Sequence, residues 1–119
     1  MEKGATSRVS TVRSAIVTRE WPPEVYGGAG VHVTDLVHSL KTLIDVEVFC
    51  MGAARPDAQA FALKAAEDLN PALSVVHTDV EMARAISNGS FDVVHSHTWY
   101  ANLAGHLSAQ SLGVPHVLT

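Results

Sequence analysis

The stretch VRSAIVTREWPPEVYGGAGVHVTDLVHSL, Val12 to Leu40, decides the fold because its period changes halfway. Val12 to Thr18 is a short run with β-branched residues that stops at a segment rich in proline and glycine, which reads as a strand entering a loop. From Val31 onward the apolar residues Val33, Leu36, Val37, Leu40 and Ile44 recur at helical spacing, with His32, Asp35, Ser39 and Thr42 on the other sides. Strand, loop and amphipathic helix in that order make the first half of a βαβ unit.

Working outward, the same alternation continues. Val46 to Met51 reads as a second strand, and Ala58 to Leu69 as a helix through Phe61, Ala62 and Ala65. Leu73 to His77 reads as a third strand. Asp79 is expected to cap a helix that holds Met82, Ala83 and Ile86 and stops at Asn88-Gly89. Phe91 to His95 is the fourth strand, and Ala101 to Leu112 a helix of small residues ending at Gly113. Pro115 opens a last apolar run, His116 to Leu118.

Nearly continuous apolar strands separated by helices call for a parallel sheet with helices on both faces, an α/β Rossmann-like sandwich. In the order three, two, one, four, five, the topological switch lies between strands one and four, and ligands bind beyond their carboxyl ends. Two loops then converge there: Arg19 to Gly30, and the run His95-Ser96-His97-Thr98-Trp99-Tyr100.

Composition bounds the partners. The chain has 119 residues, 47% hydrophobic and 17% charged, the size of one small domain. A formal charge of -4 without a basic run argues against nucleic acid or an anionic membrane as partner. A single cysteine, Cys50, rules out an internal disulfide, and no apolar run approaches the roughly 18 residues of a membrane span. A cytoplasmic location is expected. Met1 to Thr11 is polar, lacks the apolar core of a secretory signal and is expected to be a loose leader to a domain over 12–119.

The glycine loop is not a dinucleotide fingerprint. Gly28-Ala29-Gly30 is followed by Val31, His32 and Val33, so the third glycine is missing, and strand two ends in Cys50 and Met51 where a ribose-binding acid belongs. No Gly-Lys-Ser/Thr is present for a Walker loop. Two readings stay open: a turn that needs positive φ, or a helix start whose free N–H groups and missing Cβ atoms admit an anion at close range.

Other residues read more plainly. His95 and His97 lie two apart and point to one side of a continuing strand, but nothing beside them completes a metal site. His32, His38, His77, His106 and His116 read as surface or satisfied core groups, and Cys50 as a small buried hydrophobe. Arg19 and Glu20 can pair with each other or with a ligand and read first as a structural ion pair, and Glu67, Asp68 and Glu81 read as solvated helix faces.

Together, Thr18 to Val33 and Phe91 to Trp99 resemble the N-terminal domain of retaining glycosyltransferase family 4, in its actinobacterial glycogen synthase type. The resemblance runs from about Val12 to Thr119. It implies the N-terminal half of a two-domain GT-B architecture, with a nucleotide-sugar held between two Rossmann-like halves. Gly27, Gly28, Ala29 and Gly30 would then approach the sugar and diphosphate of the donor. His97, Thr98, Trp99 and Tyr100 would line the acceptor and sugar side, where an indole face suits a pyranose. The sequence departs from the bacterial and plant starch synthase branch, which has Lys-Thr where Val25-Tyr26 stand, Asp at Thr98 and His at Tyr100.

The resemblance implies no catalytic group within these residues, no metal and no cofactor beyond the nucleotide-sugar donor, ADP-glucose or UDP-glucose. The acceptor would be an α-1,4-glucan end, as in glycogen synthesis, or glucose 1-phosphate in a maltose-phosphate-forming subgroup. Thr119 ends the sequence where the family's active-site histidine follows strand five. The chain is therefore expected to be a fragment, inactive without a C-terminal domain and able to self-associate through an exposed inter-domain face. A free-standing Rossmann-like module that binds a nucleotide or phosphate without group transfer stays as the alternative.

Overall fold

The computed structural model of the protein describes residues 11–63 and 70–119. Five strands, β1 (Arg13–Thr18), β2 (Asp45–Met51), β3 (Gln59–Phe61), β4 (Val93–His97) and β5 (His116–Leu118), form one parallel sheet in the order β3-β2-β1-β4-β5. Three helices accompany them: α1 (Gly28–Leu40), α2 (Pro71–Ser87) and α3 (Trp99–Leu112).

The central strand shows why the sheet is covered on both sides. Ala15, Ile16 and Val17 are all fully buried, and successive side chains leave a strand on opposite faces. Ala15 and Val17 join Phe49, Met51 and Val94 beneath Val75, Met82 and Ile86 of α2 and Ala101, Ala104 and Ala109 of α3. Ile16 points the other way, with Val48 and Cys50, beneath Val33 and Val37 of α1. Each such buried branched side chain contributes about 1.5–3 kcal/mol. On α3 the buried stripe is alanine, glycine and serine, and such small residues let a helix lie close to its neighbours. The expected stop at Gly113 holds, with φ 69° in the left-handed region that glycine enters freely.

The order of strands agrees with the reading of the sequence, but the identity of the third strand does not. Leu73 to His77 lies inside α2, where Val75, Thr78, Asp79, Met82, Ala83 and Ile86 are buried at helical spacing. Five apolar-leaning residues cannot distinguish a strand from the start of a helix. The deciding signal is the preceding pair: Asn70 caps the helix by accepting the Ala72 N–H at 2.8 Å, and Pro71 occupies its first turn. Asp79, expected as a cap, is instead buried in mid-helix.

The true third strand is Gln59–Phe61, paired with Phe49, Cys50 and Met51. It occupies the start of the segment expected as a helix over Ala58 to Leu69; residues 64–69 of that segment lie outside the described residues, as does the leader apart from Thr11. The remaining boundaries shift modestly. Helix α1 begins at Gly28 rather than Val31, α3 begins at Trp99 rather than Ala101, and β4 reaches His97.

Candidate functional site

The register of the sheet builds the site. Thr18, the last residue of β1, pairs with His97, the last residue of β4, so the chain leaves the two strands side by side at one edge. The two loops expected to converge do so: Thr18, Arg19, Glu20, Ala29, Thr98 and Tyr100 line one cavity of about 70 Å³. A larger one beside it, about 290 Å³, is lined by Arg19, Trp99 and Tyr100 together with Leu63, Pro71, Ala72, Ser74 and Val75.

The loop after β1 is held at its base and free at its tip. Trp21 is buried among Ile16, Val33 and Val37, and Arg55, whose side chain is 3% exposed, ties the loop to the segment after β2. Its guanidinium donates to the Trp21 and Ala53 carbonyls and meets Glu24 at 2.7 Å. The Glu20 carboxylate then accepts the N–H groups of Tyr26 at 2.8 Å and Gly27 at 3.3 Å. Beyond that point Gly27, Gly28 and Ala29 are exposed, and the first N–H groups of α1, on Gly28, Ala29 and Gly30, have no partner among the described residues.

The three glycines serve different ends. A Cβ on Gly27 or Gly28 would meet nothing within 4 Å, whereas one on Gly30 would run into Glu20 and lie 2.8 Å from Val25 Cγ1. Gly30 is a packing glycine, and Gly27 and Gly28 leave open backbone. The positive-φ reading of this loop is corrected: among the described residues the positive-φ glycines are Gly52 and Gly113. Gly27 is extended at φ -163°, which any residue adopts.

The turn after β4 is built the opposite way. Thr98 has φ 66° and ψ 166°, a conformation that belongs almost wholly to glycine and costs about 1–3 kcal/mol in other residues. It is held there by its N–H to the Thr119 carbonyl at 2.8 Å, while the Thr119 hydroxyl meets His95 Nε2 at 2.7 Å. His97 is 2% exposed and stacks on His95 at 4.2 Å, with the His32 ring of α1 at 5.9 Å. Burial, reinforced by His95 and His32, pushes the His97 pKa down to about 4. Its ring is therefore neutral near pH 7, and its buried Nε2 has no hydrogen-bond partner among the described residues.

Trp99 and Tyr100 open α3. Trp99 is 59% exposed, its ring 4.1 Å from that of Tyr100, and the Arg19 guanidinium lies over the Tyr100 ring at 4.3 Å. Indole, phenol and cation thus form one stack along the cleft. The Arg19–Glu20 ion pair expected from sequence is absent: Glu20 turns to the backbone of its own loop, and Arg19 has no carboxylate partner among the described residues.

All eight expected site residues therefore lie at the two strand-to-helix junctions, β1 to α1 and β4 to α3, at this edge. Ala29, Thr98 and Tyr100 line the small cavity, Trp99 and Tyr100 the larger one, Gly27 and Gly28 are exposed at the start of α1, and Gly30 and His97 are buried behind them. Arg19 was the residue undervalued; its position directly after the switch-point strand was the available signal. The strain at Thr98 had none. Cys50 behaves as expected, buried, with its thiol pushed up to about 11 chiefly by desolvation. Among the described residues no group of three His, Cys, Asp or Glu side chains could hold a metal ion, and no helix is long and apolar enough to cross a membrane.

A parallel sheet in this order, with its cleft at the β1–β4 switch and an aromatic wall beside open backbone, is the Rossmann-like N-terminal half of a GT-B glycosyltransferase. Residues 26–119 match Glycosyltransferase Family 4, and the chain belongs to that family. It is 56% identical over 111 residues to alpha-maltose-1-phosphate synthase of Mycobacterium tuberculosis, and 52% identical over 109 residues to the protein of that name from Mycolicibacterium smegmatis. Each comparison covers 91% of this chain and 28% of the relative, so the chain spans little more than a quarter of their length.

Proposed function

We propose that this chain is the acceptor-side half of a retaining glucosyltransferase that moves glucose from ADP-glucose or UDP-glucose to glucose 1-phosphate, forming α-maltose 1-phosphate. The observation that carries the reading is the pairing of Thr18 with His97, which brings the Arg19–Gly30 loop and the His97–Tyr100 turn into one cleft. The printed name of the relatives favours glucose 1-phosphate over an α-1,4-glucan end as acceptor.

In this reading the bond between the donor's anomeric carbon and its diphosphate breaks, and the acceptor hydroxyl forms the new glycosidic bond. The hydroxyl proton leaves to the departing phosphate or to solvent. The open N–H groups of Gly28 and Ala29 receive negative charge as the nucleoside diphosphate departs. The Trp99 face carries a pyranose ring and Thr98 bonds its hydroxyls, with the buried, neutral His97 ring packed behind the turn. Domain 12–119 needs a second half to grip the donor, and alone it does not turn over.

The test is to incubate the full-length protein with ADP-glucose or UDP-glucose and either glucose 1-phosphate or glycogen, following product by NMR. An α-1,4-linked disaccharide phosphate is expected. Release of neither nucleoside diphosphate with either acceptor would sink the assignment.

A further inference from the structure

Arg19 is a half-buried cation without an assigned task. Its guanidinium has no hydrogen bond or carboxylate among the described residues; the nearby Glu20 is bonded to the Tyr26 and Gly27 amides, and Glu24 is paired with Arg55. The Tyr100 ring beneath it stabilises the charge without neutralising it. Arg19 also lines three cavities at the carboxyl edge of the sheet, one shared with Ala29 and Thr98, one with Trp99 and Tyr100, and one with Tyr26 and Gly52.

We propose that Arg19 is the residue that selects a phosphorylated acceptor: its guanidinium binds the phosphate of glucose 1-phosphate while the exposed Trp99 ring at the other end of the stack carries the sugar. This rests on the glucosyl-transfer reading above and adds to it the determinant of acceptor choice. A guanidinium matches a phosphate with paired N–H donors, and a half-buried cation gains far more from a phosphate than from the uncharged end of a glucan. The stack supplies both needs of a small sugar phosphate, a ring platform and a cation, with centroid spacings of 4.1 Å and 4.3 Å.

Calorimetric titration of the full-length protein with glucose 1-phosphate, glucose and ADP-glucose separates the possibilities. Arg19→Ala is expected to weaken glucose 1-phosphate roughly 10- to 100-fold, the loss typical of a charge-assisted contact, and to leave glucose unchanged. Arg19→Lys recovers part of the loss. Arg84→Ala, which removes an exposed charge in the last turn of α2, changes nothing. Arg19→Gln keeps most of the stem and serves if the alanine variant does not fold. Wild-type affinity for glucose 1-phosphate in the Arg19 variants overturns the proposal, as does no binding by the wild type. A loss confined to ADP-glucose overturns it too, by assigning Arg19 to the donor diphosphate. Arg19-dependent binding without any glucosyl transfer leaves the subsite standing and removes the transfer reading instead.

Discussion

The two loops that meet at the cleft are built on opposite principles. The loop after β1 is rich in glycine yet adopts no left-handed backbone between Arg19 and Gly30; it is anchored through Trp21 and Arg55 and opens into unbonded amides. The turn after β4 contains no glycine from His95 to Tyr100, yet holds Thr98 at φ 66° with Thr119 as its strut. Glycine therefore marks where backbone must stay accessible or pack closely, and strain is stored where tertiary bonds can hold it.

The comparison is broken most severely by removing the anchor of the first loop. Arg55→Ala should cost about 3 kcal/mol in urea unfolding, mostly through its lost charge-assisted bond to the Trp21 carbonyl, which keeps the Glu24 N–H, and the lost packing of its buried stem, since Ala53 is exposed and the ion pair with the 39% exposed Glu24 contributes little. A loss under about 0.5 kcal/mol would mean that Trp21 burial alone holds the loop.

Next in size is the contrast among the glycines. Gly30→Val should destabilise by about 2 kcal/mol because its new side chain enters the space of Glu20 and Val25, whereas Gly28→Ala, facing open space, should stay within about 0.5 kcal/mol. Equal effects at the two positions would erase the distinction between packing and open backbone.

The turn should answer with the opposite sign. Thr98→Gly relieves the strained conformation against a smaller entropic loss, giving a net gain of up to about 1 kcal/mol. If the variant is less stable than the wild type in the same unfolding assay, the turn is not strained.

The smallest expected effect is a compensation between two buried groups. The His97 pKa falls from 6.5 to about 4, so its contribution to stability is present above pH 6.5 and is lost as pH drops toward 4. Desolvation raises the Asp79 pKa from 3.8 to about 7, so its contribution is present below 3.8 and is lost as pH rises toward 7. The two slopes oppose each other across pH 4 to 6.5. Asp79→Asn should unmask a clear loss of thermal stability on acidification; an unchanged slope of Tm against pH would show that Asp79 is not titrating as a buried group.

Periodicity carried the architecture but failed on short segments. Val33, Val37 and Leu40 marked α1, and the strands of β1, β2 and β4 lay where apolar runs met turn residues. Leu73 to His77 failed because a five-residue apolar run fits both periods, and Gln59–Phe61 because a short edge strand has too few residues to alternate. At the site, glycine and aromatic residues pointed to the right two loops. Arg19 was misjudged because its neighbour in sequence carries a carboxylate, and only the fold shows that carboxylate turned to the backbone.

The alternation of strands and helices, the central place of Val12 to Thr18 and the two loops that meet beyond it are legible in the chain alone, since burial period and turn chemistry are local properties. Long-range packing settles which glycine packs and which stays open, that Thr98 is strained, that His97 is neutral, and that Arg19 stands as a cation over Tyr100. These depend on groups distant in sequence, Thr119, His32 and Tyr100 among them, whose approach is set by sheet register and helix packing rather than by any local pattern.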